Sequence, residues 1–270
     1  MEGGLNLGLG SGHFDLQLPD KIVLFEEIGK GKSGTVRKGR LDDKIIAIKI
    51  FMPQCKQSWT LEKEIYSLPQ MMEKDSILKF LGVSERRDNI GPECWLGTEY
   101  HPKGSLYDFL KANLVSWDDL CKIALSIGKG LAFLHEEIPA NGKQEFKPVV
   151  AHRDFKSKNV LIKDDLTSCI SDFGLALKIE PGLNSNTQVA QVGTTRYMAP
   201  EVLECAISFE KNAFPRADMY ACGLVLWELA SRYTNFESDL LIEVVYVFLI
   251  LIILLQMHLK SYTYLGSKHY

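Results

Sequence analysis

No two cysteines of this 270-residue chain fall in a C-x-x-C spacing. The six thiols, Cys55, Cys94, Cys121, Cys169, Cys205 and Cys222, stand far apart in the sequence. That argues against a zinc site and against a dense disulfide framework, and it fits a reducing compartment. An excess of charge is missing as well. With 31 Lys and Arg against 34 Asp and Glu, the formal charge is −3, and the overall balance calls for neither nucleic acid nor an anionic membrane as partner. Any affinity for phosphate must therefore come from a local site. The first residues carry no basic segment ahead of a continuous apolar run, so they do not read as a secretory signal. No internal repeat is visible. What is present is 46% hydrophobic residues in a 30.5 kDa chain, enough to fill a core and to exclude disorder as the main state.

The text changes character along the chain. Residues 1–18, with five glycines in the first twelve, read as a flexible leader. From Lys21 to Ile50 the runs I-V-L-F, G-T-V-R-K-G and I-I-A-I-K-I-F alternate with glycine and with Asp42-Asp43, which predicts a small antiparallel sheet of hairpins. A helix capped by Ser58 is expected over 58–68, and strand-like text reaches Trp95 to Tyr100. After Gly104-Ser105 the pattern turns helical, with Leu120, Ile123, Ala124, Ile127, Leu131 and Leu134 at helical spacing. These changes predict two lobes, about 19–100 and 101–232, with a hinge near 99–104 and a ligand cleft between them. Beyond them, 233–270 forms a separate tail. Its run from Leu240 to Leu255 is apolar except for Glu243, yet as a helix it would reach only about 24 Å, short of a bilayer core of about 30 Å. Its β-branched density favours β-association instead.

Chemistry concentrates in five places. Gly29-x-Gly31-x-x-Gly34-x-Val36 lies between two strand-like runs, where absent side chains let backbone N–H groups approach phosphate oxygens. Alone it is a weak signal, and an ordinary glycine-rich hairpin would explain it. Lys49, fifteen residues after Gly34, stands in an apolar strand where an ammonium wants an anionic partner, and Glu62 or Glu64 on the following helix can supply one. His152-Arg153-Asp154-Phe155-Lys156-Ser157-Lys158-Asn159 places polar groups between two apolar runs. Asp172-Phe173-Gly174 follows thirteen residues after Asn159, and Ala199-Pro200-Glu201 comes later. Four motifs in this order and spacing are not a coincidence of composition.

Together they resemble the protein-kinase signature set. The words between them, H-P-K-G-S-L-Y-D-F-L-K-A-N, H-R-D-F-K-S-K-N-V-L-I-K, S-D-F-G-L-A-L-K and Q-V-G-T-T-R-Y-M-A-P-E-V-L-E, are similar to the activin type II receptor branch of the transforming-growth-factor-β receptor kinases. The likeness covers roughly residues 20–232. It implies an α+β, bilobal protein-kinase fold with an incomplete helical lobe. It also implies roles: Lys49 on the α- and β-phosphates and paired with Glu62 in preference to Glu64, Asp154 taking the proton of the substrate hydroxyl, Lys156 beside it as in serine/threonine kinases, and Asn159 and Asp172 as ligands of Mg²⁺ or Mn²⁺. Gly29, Gly31, Gly34, Val36, Ala47, Thr98, Glu99 and His101 would line the site for ATP. Thr194 or Thr195 would shape the acceptor site.

By the same resemblance the partner and substrate is a type I receptor kinase, met in a ligand-bound receptor complex at the cytoplasmic face of a membrane, with no role for nucleic acid. In that family further helices follow the one containing Asp218 and Trp227, and one of them supplies an arginine to the glutamate corresponding to Glu201. This sequence departs from the family text after about Tyr233. A second reading, a non-catalytic fragment that binds nucleotide or partner receptors, therefore stands beside the first.

Overall fold

The structure, a computed structural model, describes residues 17–87, 91–142, 144–180, 191–206 and 212–234. The expected tail after 234 and nearly all of the expected leader lie outside the described residues. Five strands make the first lobe: β1 (Ile22–Lys30), β2 (Gly34–Leu41), β3 (Lys44–Phe51), β4 (Phe80–Arg87) and β5 (Pro92–Glu99). They form one antiparallel sheet in the order β1-β2-β3-β5-β4. β2 turns into β3 through Asp42-Asp43, with Leu41 paired to Lys44 and Asp42 at φ 51°, a left-handed conformation that a short carboxylate side chain tolerates.

Period-two alternation splits β3 between two environments. Ile46 and Ile48 pack with Leu18 and Trp95 on the outer face, while Phe51 belongs to the main core. Leu18, at the end of the expected leader, is buried, and its N–H donates to Val83 O at 2.8 Å.

The helix expected over 58–68 with a Ser58 cap is α1 (Lys56–Tyr66). It grows out of a 3-10 turn at Pro53–Cys55, its N-cap is Cys55, and no side chain caps it. The serine signal misled because Pro53, with φ already fixed, opens the helical path earlier. α1 buries Trp59, Glu62, Ile65 and Tyr66, and Trp59 Nε1 donates to Trp95 O at 3.0 Å, which pins the helix to the sheet.

The second lobe is helical: α2 (Leu106–Ala112), α3 (Trp117–His135), α4 (Pro200–Leu203) and α5 (Ala213–Ala230). Ser105 and Ser116 cap α2 and α3, each hydroxyl accepting from the backbone N–H three residues on. The six apolar positions expected on α3 are all buried. Two short antiparallel pairs, β6 (Val149–Ala151) with β9 (Leu177–Ile179) and β7 (Val160–Ile162) with β8 (Ser168–Ile170), carry the loops between the lobes. Among the described residues no helix is long and apolar enough to cross a membrane, and Glu201 makes no ion pair. Trp227 on α5 is 67% exposed.

Candidate active site

Strand register gathers residues that are far apart in sequence. Gly29 pairs with Val36 and Val36 with Lys49, while Ala47 pairs with Thr98. Directly paired residues share a face, as do positions two apart, so Val36, Ala47, Lys49 and Thr98 line the side of the sheet opposite the Ile46–Ile48 cluster. Gly34 has a steric task of its own, since a Cβ there would lie 2.0 Å from Ile50 O. The strands can approach so closely only over a glycine. The turn is closed by Gly31 N–H donating to Gly34 O at 2.9 Å, and Met52 N–H holds Ser33 O at 3.0 Å. At the hinge Thr98 is buried and Glu99 N–H donates to Lys79 O at 3.0 Å. His101 Nε2 lies 4.0 Å from Glu99, and burial, opposed by that carboxylate, pulls the imidazole below its usual range.

Lys49 is the junction of the cleft. Its Nζ is 2.7 Å from Glu62 Oε2 and 2.7 Å from Asp172 Oδ1. Burial works to lower its pKa, but the two carboxylates more than reverse this and hold Lys49 above its ordinary value. Burial pushes Glu62 up to about 7, with Lys49 pulling back and Asp172 adding to the rise. Asp172 is held low against its burial by Lys49, with smaller help from His152 and Lys156. Glu64, the alternative partner in sequence, instead bonds Lys178 at 3.0 Å.

With burial pushing Glu62 up to about 7, its charge builds as pH rises through that value, so its pair with Lys49 should strengthen above it and fade below it. The KM for ATP is therefore expected to rise in the parent chain as pH falls from 8 to 6. The same titration of Glu62→Gln, which carries the nucleotide's own protonation but not this one, should lack that component.

Below the sheet an aromatic column links α1 to the catalytic loop. Phe80 stacks on Tyr66 with centroids 5.1 Å apart, Tyr66 meets Phe173 edge-on at 5.1 Å, and Phe173 meets His152 at 5.3 Å. Phe173 sits next to Asp172, so the packing of one positions the other. Asp172 and Arg153 both adopt left-handed backbone, φ 68° and 65°. Such conformations persist where surroundings impose them. Here Lys49 holds the Asp172 side chain, and Asp218 on α5 accepts from the N–H groups of His152 at 2.6 Å and Arg153 at 2.9 Å. Asp218 Oδ2 also lies 3.0 Å from His135 Nε2 at the end of α3.

Asp154 is held on both oxygens. Lys156 Nζ donates to Oδ2 at 2.5 Å, and Thr194 Oγ1 donates to Oδ1 at 2.7 Å while accepting from Lys156 at 2.9 Å. Of the two threonines weighed, Thr194 is the one that reaches the aspartate. Asn159 Nδ2 donates to Asp154 O at 2.9 Å, and its own carbonyl accepts from Ser171 N–H at 2.9 Å, which ties the catalytic loop to the segment leading into Asp172. Beside Asp154 a cavity of about 140 Å³ is walled by Val192, Thr194, Met198, Ala199 and Phe214.

Losing a hydrogen bond to an ionised group costs about 1.5–3 kcal/mol, roughly tenfold to a hundredfold in rate if it acts on the transition state. Thr194→Val should lower kcat by that factor with KM for ATP unchanged, as steady-state kinetics would show.

Asn159 and Asp172 offer oxygen donors suited to a hard divalent cation, and Asp172 is kept ionised. No group of three or more His, Cys, Asp or Glu side chains able to hold a metal by itself occurs among the described residues.

A profile of the protein kinase domain matches residues 22–260. The chain belongs to the protein kinase domain family. Within it the chain is activin type II receptor-like: it is 57% identical over 213 residues to activin receptor type-2A of Gallus gallus, covering 79% of this chain and 41% of that protein. Activin receptor type-2A of Homo sapiens is 56% identical over the same shares, and activin receptor type-2B of Xenopus laevis is 52% identical over 79% of this chain and 42% of that protein. The chain thus spans about two fifths of the length of these relatives.

Sequence reading missed several residues that build this kinase site. Asp218 lies 66 residues from His152 and 83 from His135, both of which it meets, and no local motif announces these contacts. Nothing in the local sequence sets Tyr66 and Phe80 apart from the chain's other aromatic residues. Thr194 was distinguishable from Thr195 only once the backbone path was known.

Proposed function

We propose that this chain transfers the γ-phosphoryl group of ATP to serine and threonine hydroxyls. The observation that carries this reading is Lys49 bridging Glu62 and Asp172 at 2.7 Å each, in the cleft that also holds Asp154 between Lys156 and Thr194. Lys49, fixed by two carboxylates, presents a cation to the α- and β-phosphates in a geometry that needs no reorganisation on binding. Val36 and Ala47 supply apolar wall for the base, and Thr98, Glu99 and His101 its hinge. Asn159 and Asp172 would hold Mg²⁺ or Mn²⁺, which would supply positive charge to offset that of the phosphates.

Asp154 accepts the acceptor hydroxyl's proton. Lys156 and Thr194 fix its carboxylate. The cavity beside Thr194 leaves room for a side chain of the substrate. By likeness to activin type II receptors, the substrate is a type I receptor kinase in a ligand-bound complex at the cytoplasmic face of a membrane.

Incubating the chain with labelled ATP, Mg²⁺ and a type I receptor kinase domain, followed by acid hydrolysis, tests this reading. Phosphoserine and phosphothreonine are expected; phosphotyrosine as the main product would overturn the acceptor assignment. A binding-only role is the second reading, and it predicts nucleotide or receptor binding with no labelled product.

A further inference from the structure

The connection between α3 and β6 holds a charge that touches none of the side chains assigned to phosphotransfer. Lys147 is wholly buried, a rare position for lysine without compensation. Its Nζ donates to three backbone carbonyls: Leu134 at 3.1 Å, Glu136 at 2.8 Å and Pro148 at 3.1 Å. An ammonium has three protons, and each finds an acceptor. Leu134 and Glu136 lie at the C-terminal end of α3, where carbonyls lack intrahelical partners and the helix dipole leaves partial negative charge. The Phe133 ring adds its face, 4.7 Å from Nζ to the centroid. Burial pulls Lys147 down to about 8, Glu136 opposes this, and Lys74, whose Nζ sits 5.0 Å from the same ring centroid, adds to the fall. The ammonium still prevails at neutral pH.

The backbone repeats the clamp, since Ile138 and Lys147 exchange N–H···O bonds of 2.9 Å in both directions. One residue thus ties the end of α3, both sides of the connection and the residue that enters β6. Both tied elements lead to the same carboxylate. α3 ends at His135, which meets Asp218, and β6 runs into His152 and Arg153, whose amides donate to Asp218. Asp154 is the next residue. We propose that Lys147 is a positioning residue for phosphotransfer, its buried ammonium fixing the end of α3 against β6 and thereby the backbone that presents Asp154. The catalytic half of this proposal rests on the kinase reading.

Lys147→Met fills the stem's space but leaves three carbonyls without a donor. Hydrogen exchange on the folded variant is expected to speed at the His152 and Arg153 amides by about tenfold, with the amides of the five-stranded sheet near parental rates. Counted per nucleotide-binding site, kcat should fall by about tenfold to a hundredfold with KM for ATP within about twofold. Lys147→Arg, which keeps the cation and its donors, should recover most of both.

Uniformly faster exchange with kcat per site unchanged would overturn the proposal in favour of simple stabilisation. Equal losses in the Met and Arg variants would overturn it too, because charge would not be the agent. Should Lys147→Met fail to fold, Lys147→Gln, with two donors, carries the same comparison. A parent chain without phosphotransfer would sink the kinase reading, and exchange would still decide the role of Lys147.

Discussion

Lys49→Met is expected to abolish phosphotransfer while leaving the fold intact. The thioether occupies the stem's volume on β3, so the sheet loses little packing. What goes is the charge between Glu62 and Asp172, each 2.7 Å from it. Two partly buried carboxylates then face each other with no cation between them, which raises the pKa of both and removes the ionised Asp172 that a metal–nucleotide complex needs. Nucleotide binding should weaken and turnover fall below detection, by about 10³-fold or more if positioning and electrostatic stabilisation are both lost. Circular dichroism and a turnover assay on the same preparation check this. Retained activity would mean that the Lys49 cleft is not where the phosphates sit.

Asp154→Asn should have an effect nearly as large but of a different kind. The amide keeps the shape and one oxygen, which can still accept from Lys156 while the amide N–H donates to Thr194 Oγ1, but the proton acceptor is gone. General-base contributions of about 10²–10⁴ in rate set the expected fall in kcat. KM for ATP should hardly move, because Asp154 does not touch the Lys49 cluster. A variant that lost nucleotide affinity and turnover together would place Asp154 in binding rather than in proton transfer.

The two variants mark what could be read in advance. Runs such as H-R-D-F-K-S-K-N and D-F-G are legible because the catalytic loop is short, and its chemistry needs Asp154, Lys156 and Asn159 within a few residues of one another. The hydrophobic alternation of β3 and the stripe on α3 foretold strand and helix for the same reason: each pattern is local. Cross-chain geometry was not legible in that way. The left-handed backbone at Arg153 depends on Asp218, 65 residues later, and the choice of Glu62 over Glu64 rested on family spacing until the 2.7 Å contact decided the geometry. The start of α1 was misplaced because a proline-led 3-10 turn overrode a serine cap. Nothing local marks Lys147, and only the fold shows that it is sealed against the end of α3.

Single-turnover transfer from γ-labelled ATP with Mg²⁺ to a mixed serine, threonine and tyrosine peptide library, run on the parent chain and on Asp154→Asn after equal nucleotide binding has been verified, tests the account most directly. Label on serine and threonine from the parent, with the variant slower by about 10²–10⁴, is the predicted result. Equal rates in the two chains, or a parent that binds nucleotide and transfers nothing, would contradict it.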